Sequence, residues 1–159
     1  MKSQKAPLRV LLADDDEGDR LVFKEIFEEM ETDTIVYMVN DGEQLMNFLT
    51  IENNLLPHII FLDLNMPNMN GIECLKEIRS IDRYSNISIA IYSTSTSEKD
   101  IDDTFYYGAN IYITKPGDFN KLKKVLAKAL STTRLNQDSA FDRANFVLKI
   151  TAVQNISRY

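Results

Sequence analysis

Short apolar runs alternate five times with amphipathic segments along this chain. The runs contain few polar residues, which is typical of strands that are buried on both faces. They cover residues 8–13, 35–39, 59–62, 87–92 and 111–113. The segments that follow them place apolar residues three and four positions apart, which predicts five helices. Strands and helices in this order predict a doubly wound α/β fold, a five-stranded parallel sheet with right-handed crossovers and helices on both faces.

Residues that favour helix ends support this division of the chain. Asp16 and Asp41 are expected to be N-caps of the first and second helices, because their carboxylates can accept bonds from free backbone amides. The fourth helix is predicted over residues 98–107, with Gly108 just beyond its end. The fifth helix is predicted over residues 119–130.

The composition is that of one folded domain. The chain has 159 residues, of which 44% are hydrophobic and 26% are charged, close to the average for globular domains. With 18 Lys and Arg against 24 Asp and Glu, the net charge of −6 argues against a protein that binds nucleic acid directly. The single cysteine, Cys74, cannot form an internal disulfide and is expected in the core. No long apolar run or leader is evident, so we expect a cytoplasmic protein without membrane insertion.

The two ends of the chain differ from the middle. Residues 1–7 are predicted to be an N-terminal extension, residues 8–130 the domain, and residues 131–159 a C-terminal tail of unknown role. The tail is rich in Asn, Ser, Thr and Gln and is too short to form a second core alone. Its apolar patch, residues 146–150, is costly to leave in water. We therefore expect the patch to contact the domain or a partner chain, as in a homodimer.

Chemically reactive side chains follow four of the five predicted strands. Asp14 and Asp15 come after the first strand, Asp63 after the third, Ser93 after the fourth and Lys115 after the fifth. Sites in such sheets lie outside the carboxyl ends of the strands, so these groups are expected to converge. Crowded carboxylates repel each other unless a cation lies between them. Ligands that are all oxygen favour Mg²⁺, with Mn²⁺ as an alternative.

Four motifs containing these residues resemble the receiver domains of bacterial two-component response regulators. They are VLLADDD at 10–16, IIFLDLNMP at 59–67, AIYST at 90–94 and ITKP at 113–116. Each motif alone is common, but all four occur in order over residues 8–130. The resemblance implies a flavodoxin-like sheet with strand order 2-1-3-4-5.

The resemblance also implies a role for each acidic residue. Asp63 would be the phosphoryl acceptor, and Asp14 and Asp15 the acidic pair. Asp15, Asp63 and the backbone carbonyl of Asn65 would hold Mg²⁺, with Asp14 acting mostly through water.

The remaining implied roles concern the last two motifs. Lys115 would pair with the phosphoryl group, and Ser93 would move its hydroxyl toward it. Tyr112 would be the aromatic residue whose position changes on activation. A cis peptide bond is expected before Pro116.

Taken together, these features predict a stand-alone phospho-receiver. A sensor histidine kinase or a phosphotransfer protein would donate the phosphoryl group, and a downstream protein would read the signal. We do not expect a turnover enzyme. The alternative is a Mg²⁺-dependent phosphohydrolase with an aspartyl nucleophile, although such enzymes usually carry a second acid where Asn65 stands. An interaction module without phosphorylation and a nucleotide-binding domain are weaker alternatives, the latter because no glycine-rich loop follows the first strand. His58, at the opposite end of the sheet, is expected to take no part.

Overall fold

The structure, a computed structural model, describes residues 6–51, 55–135 and 143–148. Its strands are β1 (Leu8–Ala13), β2 (Thr34–Val39), β3 (Ile59–Leu62), β4 (Ser88–Ser93) and β5 (Ile111–Thr114). Its helices are α1 (Glu17–Met30), α2 (Gly42–Thr50), α3 (Gly71–Arg79), α4 (Glu98–Tyr106), α5 (Phe119–Leu135) and α6 (Arg143–Phe146). A short 3-10 helix, Asp82–Tyr84, joins α3 to β4.

All five strands are parallel, in the order β2-β1-β3-β4-β5. Two apolar clusters cover the two faces of the sheet. One packs α1 and α5 against it, and the other packs α2, α3 and α4, with the side chain of Cys74 fully buried. The predicted fold class, its strand order and the helices on both faces are therefore confirmed.

The helix caps explain how the loops at the carboxyl ends of the strands are fixed. Asp16 accepts a bond from the amide of Asp19, and Asp41 accepts one from the amide of Gln44, so both predicted caps are confirmed. Gly108 has a φ of 99° directly after the C-cap of α4, a conformation that glycine adopts without a steric penalty. Helices α1, α2, α4 and α5 each begin three to five residues after the end of a strand, so their first turns lie near the carboxyl edge of the sheet.

Helix α5 continues through the predicted boundary at residue 130 and ends at Leu135. The polar run that suggested an end stays helical because this turn packs on the domain: Thr133 is buried, and the hydroxyls of Thr132 and Thr133 are satisfied by the carbonyls of Lys128 and Ala129, one turn earlier. Among the described residues, no helix is both long enough and apolar enough to cross a membrane.

The expectation of a cis peptide bond before Pro116 is wrong. No described peptide bond is cis. The trans form is the more stable one for X–Pro bonds in general.

The C-terminal apolar patch lies against β5. Phe146 is fully buried, Val147 pairs with Tyr112 in a parallel bridge, and the amide of Leu148 donates to the carbonyl of Tyr112 at 3.0 Å. Contact with the domain, one of the two outcomes predicted for this patch, is therefore confirmed for residues 146–148. Residues 149–150 of the patch, like residues 1–5, lie outside the described residues.

Candidate functional site

Three carboxylates meet at the carboxyl edge of the sheet, the edge formed by the ends of β1, β3, β4 and β5. Asp14 and Asp15 follow β1, and Asp63 follows the neighbouring strand β3. One oxygen from each carboxylate lies within 4.8 Å of the others. Asp14 is fully buried and Asp63 is 6% exposed, whereas Asp15 is open to solvent. An all-oxygen cluster with one open side fits a hard divalent cation that keeps part of its water shell.

A single amine faces this cluster. The side chain of Lys115, in the loop after β5, donates to Asp14 Oδ2 at 2.8 Å, and its Nζ lies 4.0 Å from Asp63 Oδ2. It also lies over the ring of Tyr92, 4.8 Å from the centroid. The structure thus brings Lys115 together with the carboxylates, as expected from the ends of parallel strands.

Asp19 is a site residue that the sequence reasoning missed. It lies in the first turn of α1, and its Oδ2 accepts a second bond from Lys115 Nζ at 2.8 Å. Acidic residues are common in the first turn of a helix because they complement the helix dipole. The residue type of Asp19 therefore did not indicate a role in the site. The usable signal was its position, one turn beyond the carboxyl edge of β1.

Burial and charge shift the pKa values of the two central groups. Burial raises the pKa of Asp63 to about 7, because the lowering by Lys115 is weaker and Asp14 raises it further. Burial disfavours the ammonium form of Lys115, but bonds to Asp14 and Asp19 outweigh this effect and the pKa of Lys115 lies above its usual value. The raised pKa of Asp63 favours its protonated form, and the raised pKa of Lys115 favours its charged form.

Ser93 and Tyr112 form a second group behind the cluster. Both side chains are fully buried. The amide of Ser95 donates to Ser93 Oγ at 3.1 Å, and the hydroxyl of Tyr112 donates to the carbonyl of Ser95 at 2.8 Å. The loop after β4 thus links the serine hydroxyl to the tyrosine ring.

The loop after β3 holds Asp63 from the other side. The amide of Asn65 donates to Asp63 Oδ1 at 3.4 Å. Gly71, at the start of α3, has no side chain to separate it from this loop. A Cβ at Gly71 would lie 2.3 Å from the carbonyl oxygen of Asp63, so only glycine fits. The role expected for the carbonyl of Asn65 stays a prediction.

His58 is not brought to the cluster. It directly precedes β3 at the opposite end of the sheet, where its Nδ1 accepts a 2.9 Å bond from the amide of Arg9. Because Nδ1 accepts this bond, the imidazole ring of His58 is held where β1 pairs with β3.

The assembled geometry suits phosphoryl chemistry. A partly buried carboxylate stands next to a cation-binding cluster and a fixed ammonium group, and both positive charges can offset charge on phosphoryl oxygens.

Comparison with known proteins agrees with this geometry. Response regulator Rcp1 of Synechocystis sp. PCC 6803 is 30% identical over 124 residues, which are 76% of this chain and 84% of Rcp1. The crystal structure of the phosphorylated cyanobacterial phytochrome response regulator RcpA superimposes with a TM-score of 0.76 at 28% identity, covering 82% of this chain and 96% of RcpA. A Mn²⁺-bound structure of Rcp1 gives a TM-score of 0.71 at 27% identity, covering 84% and 97% of the two chains.

The family model described as the response regulator receiver domain matches residues 10–127. This range contains all four motifs and every residue of the acidic cluster. The chain therefore belongs to the response regulator receiver domains, and it is a phosphorylation-based switch of two-component signalling.

Proposed function

We propose that Asp63 is the phosphoryl acceptor of this receiver domain, and that a phosphohistidine on a sensor histidine kinase or phosphotransfer protein is the donor. One observation carries the proposal: the carboxylate of Asp63 lies within 4.8 Å of those of Asp14 and Asp15 and 4.0 Å from the amine of Lys115. The phosphorylated state named for RcpA gives further support.

The acceptor reaction needs little from the protein beyond position and charge. An oxygen of Asp63 attacks phosphorus, the P–N bond to the donor histidine breaks, and the imidazole leaves with the bonding electron pair. The product on this chain is an acyl phosphate. Lys115 Nζ lies 4.0 Å from Asp63 Oδ2, close enough to pair with the phosphoryl oxygens once it releases one of its present partners.

The cluster fits a divalent cation, and we propose Mg²⁺ as the ion, with Mn²⁺ as a substitute like the one named for the Rcp1 structure. Asp15, Asp63 and the carbonyl of Asn65 would hold it directly, and Asp14 mostly through water. When bound, such an ion would neutralise charge on the phosphoryl oxygens during transfer. In support of this proposal, one oxygen from each of the three carboxylates lies within 4.8 Å of the others.

The proposed switch starts from the added charge. A phosphoryl group brings about −1.5 to −2 charge and three acceptor oxygens. The hydroxyl of Ser93 would turn toward them, which changes the loop that holds Tyr112 through Ser95. Tyr112 would then report the state of Asp63 to the face formed by α4, β5 and α5.

The output would be binding of a downstream protein rather than turnover of a substrate. Asn65 stands where aspartyl phosphohydrolases carry their second acid, so the chain lacks the group that would protonate a leaving alcohol. Histidine kinases form their phosphohistidine from ATP, so we propose that the chain works in the cytoplasm.

Phosphorylation by a small donor tests the proposal. The full chain is incubated with Mg²⁺ and acetyl phosphate, and its intact mass is measured. We expect one phosphoryl adduct in the wild type and in Asp41→Asn, a cap variant that keeps an N-cap side chain, and none in Asp63→Asn. An adduct that survives Asp63→Asn would contradict the proposal.

Two further arms separate the alternatives. Chelation of Mg²⁺, or the exposed-site variant Asp15→Asn, should abolish or strongly slow adduct formation while the thermal transition of the protein persists. Rapid phosphate release from many unrelated phosphate esters would instead favour the phosphohydrolase.

A further inference from the structure

Strand β5 ends the sheet on one side, and the chain's own C-terminal segment covers that edge. We call residues 146–148 the C-terminal strap. Val147 pairs with Tyr112 in a parallel bridge, and the amide of Leu148 donates to the carbonyl of Tyr112 at 3.0 Å. An uncovered edge would present free backbone groups to any other strand, so the strap occupies a surface on which strands can add.

The strap is anchored by one aromatic side chain. Phe146 is fully buried, with its ring centroid 5.2 Å from that of Phe105 on α4 and 6.0 Å from that of Tyr112. Val147 packs on the same apolar cluster, while Leu148 packs on the cluster of the other face. Full burial of a phenylalanine is favourable, so Phe146 helps to hold this short segment on the domain.

Tyr112 is enclosed between the strap and the loop after β4. Its hydroxyl is bonded to the carbonyl of Ser95, and the ring of Phe146 packs against its ring. The ring of Phe146 therefore lies in the way of a movement of the Tyr112 ring toward the strap. Docking of the strap and the buried position of Tyr112 therefore stabilise each other.

We propose that the strap is a displaceable occupant of the β5 edge, and that its docking is coupled to the phosphorylation of Asp63 through Tyr112. This inference rests on the proposed role of Asp63. Tyr112 is already fully buried, and turning of the Ser93 hydroxyl toward a phosphoryl group would stabilise this position further and, with it, the docked strap. Coupling between sites is reciprocal, so the docked strap must also favour the phosphorylated state. Any other strand that pairs with the β5 edge would have to displace the strap, so phosphorylation would oppose pairing at this edge and leave the rest of the α4, β5 and α5 face for a downstream protein.

The rate of hydrogen exchange at the Leu148 amide measures directly, in the full chain, whether the strap is docked. In the unphosphorylated wild type we expect protection of this amide, and in Phe146→Ala a loss of protection of about tenfold or more. Phe146→Leu, which keeps most of the apolar volume, should retain most of the protection. Tyr106→Ala removes an aromatic side chain of α4 that is 80% exposed, and it should change nothing.

Fluoroberyllate with Mg²⁺, an acyl phosphate mimic, tests the coupling, with its binding followed by fluorine NMR. Bound fluoroberyllate should raise Leu148 protection in the wild type. Phe146→Ala should weaken fluoroberyllate binding by about fivefold or more, the lower range of coupling between sites. Asp63→Asn should abolish fluoroberyllate binding and leave the basal protection of Leu148 intact.

The failures of the two proposals are distinguishable. Leu148 exchange at the rate of an unfolded peptide in the wild type would overturn strap docking while leaving Asp63 untouched. Protection that disappears on dilution would identify a second copy as the occupant and overturn docking within one chain. Normal fluoroberyllate binding with unchanged or reduced Leu148 protection would overturn the coupling. Absence of fluoroberyllate binding to the wild type would overturn the role of Asp63 and, with it, the coupling.

Discussion

At the scale of single residues, the amine of Lys115 interacts with three carboxylates of the site. Lys115 Nζ donates to Asp14 and Asp19 at 2.8 Å and lies 4.0 Å from Asp63. Before phosphorylation, its two short bonds go to residues other than the proposed acceptor. Pairing with a phosphoryl group on Asp63 therefore requires Lys115 to shift its bonds, and Asp19, the more exposed partner, is the easier one to release.

Removal of the charge on Asp19 should make this shift easier. In Asp19→Asn we expect faster adduct formation from acetyl phosphate, by no more than about fivefold, since a half-exposed ion pair contributes about 1 kcal/mol or less. The rate is measured by intact mass over time. Asp16→Asn is the matched control, because asparagine also caps helices and Asp16 does not contact Lys115. A slower rate in Asp19→Asn, or an equal gain in Asp16→Asn, would contradict the competing role of Asp19.

The raised pKa of Asp63 predicts a pH-dependent cost to stability. Its folded pKa of about 7 lies above the ordinary value of 3.8. At pH below about 4, Asp63 is protonated in both the folded and the unfolded state, so its burial does not lower the free energy of unfolding. As pH rises toward 7, only the folded state keeps the proton, so the free energy of unfolding falls.

Asp63→Asn should therefore raise the Tm of the metal-free protein at pH 8, and the gain should shrink at pH 5. A chain of this size gains about 2–4 °C for each kcal/mol. The measurement is thermal unfolding with a chelator present, with Asp15→Asn as the exposed control. An equal Tm for wild type and Asp63→Asn at pH 8 would show that burial does not penalise this carboxylate.

At the scale of elements, the loops at the carboxyl edge are fixed by close backbone packing and caps. Asn70 and Glu73 form a reciprocal capping box at the start of α3. Directly after Asn70, Gly71 approaches the backbone of Asp63 and Leu64. The position of Asp63 thus depends on where α3 begins, as well as on β3.

A methyl group at Gly71 should disturb this loop. Its Cβ would lie 2.3 Å from the carbonyl oxygen of Asp63 and 2.8 Å from Leu64 Cα, and backbone atoms cannot turn aside as a flexible side chain can. We expect Gly71→Ala to lower the free energy of unfolding by about 1–3 kcal/mol, measured by urea denaturation. Gly117→Ala is the matched control, since nothing lies within 4 Å of its Cβ position. Equal stability of the two variants would refute this close approach.

The strands and the convergence of the site were predictable because both follow from local pattern and parallel topology. Apolar runs identified every strand to within one residue at each end, and polar residues directly after them marked the carboxyl edge. The end of α5 was not predictable, because Thr132 and Thr133 have low helix propensity and the packing of this turn on the domain, where Thr133 is buried, overrides it. Asp19 was missed because its partner, Lys115, lies far away in sequence.

The sequence also did not predict the long-range contacts of charged side chains. Arg79, at the end of α3, donates to the carbonyls of Gly108, Tyr84 and Ile87 and to the side chain of Asn110. Its pKa is lowered by burial. An arginine in the last turn of a helix normally faces solvent. The sequence pattern therefore did not predict that Arg79 joins α3 to the loops before β4 and β5.

At the scale of the whole molecule, the parallel sheet connects two distant parts of the chain. The carboxyl edge gathers Asp14, Asp63 and Lys115, while the outer edge of β5 carries the C-terminal strap. Tyr112 lies on the same strand that leads to Lys115, and it touches Phe146 of the strap. This packing is the route by which, in the proposal above, a phosphoryl group on Asp63 would affect the surface that the strap covers.

The most direct test of the central claim is to locate the phosphoryl group on the chain. Acetyl phosphate is added with Mg²⁺, the product is reduced with borohydride, and the peptides are sequenced by mass spectrometry. Borohydride converts an aspartyl phosphate to homoserine, so we expect homoserine at position 63 and aspartate at positions 14, 15 and 19. Homoserine at any of those three positions, or phosphorylation of a serine or histidine with aspartate intact at 63, would contradict it.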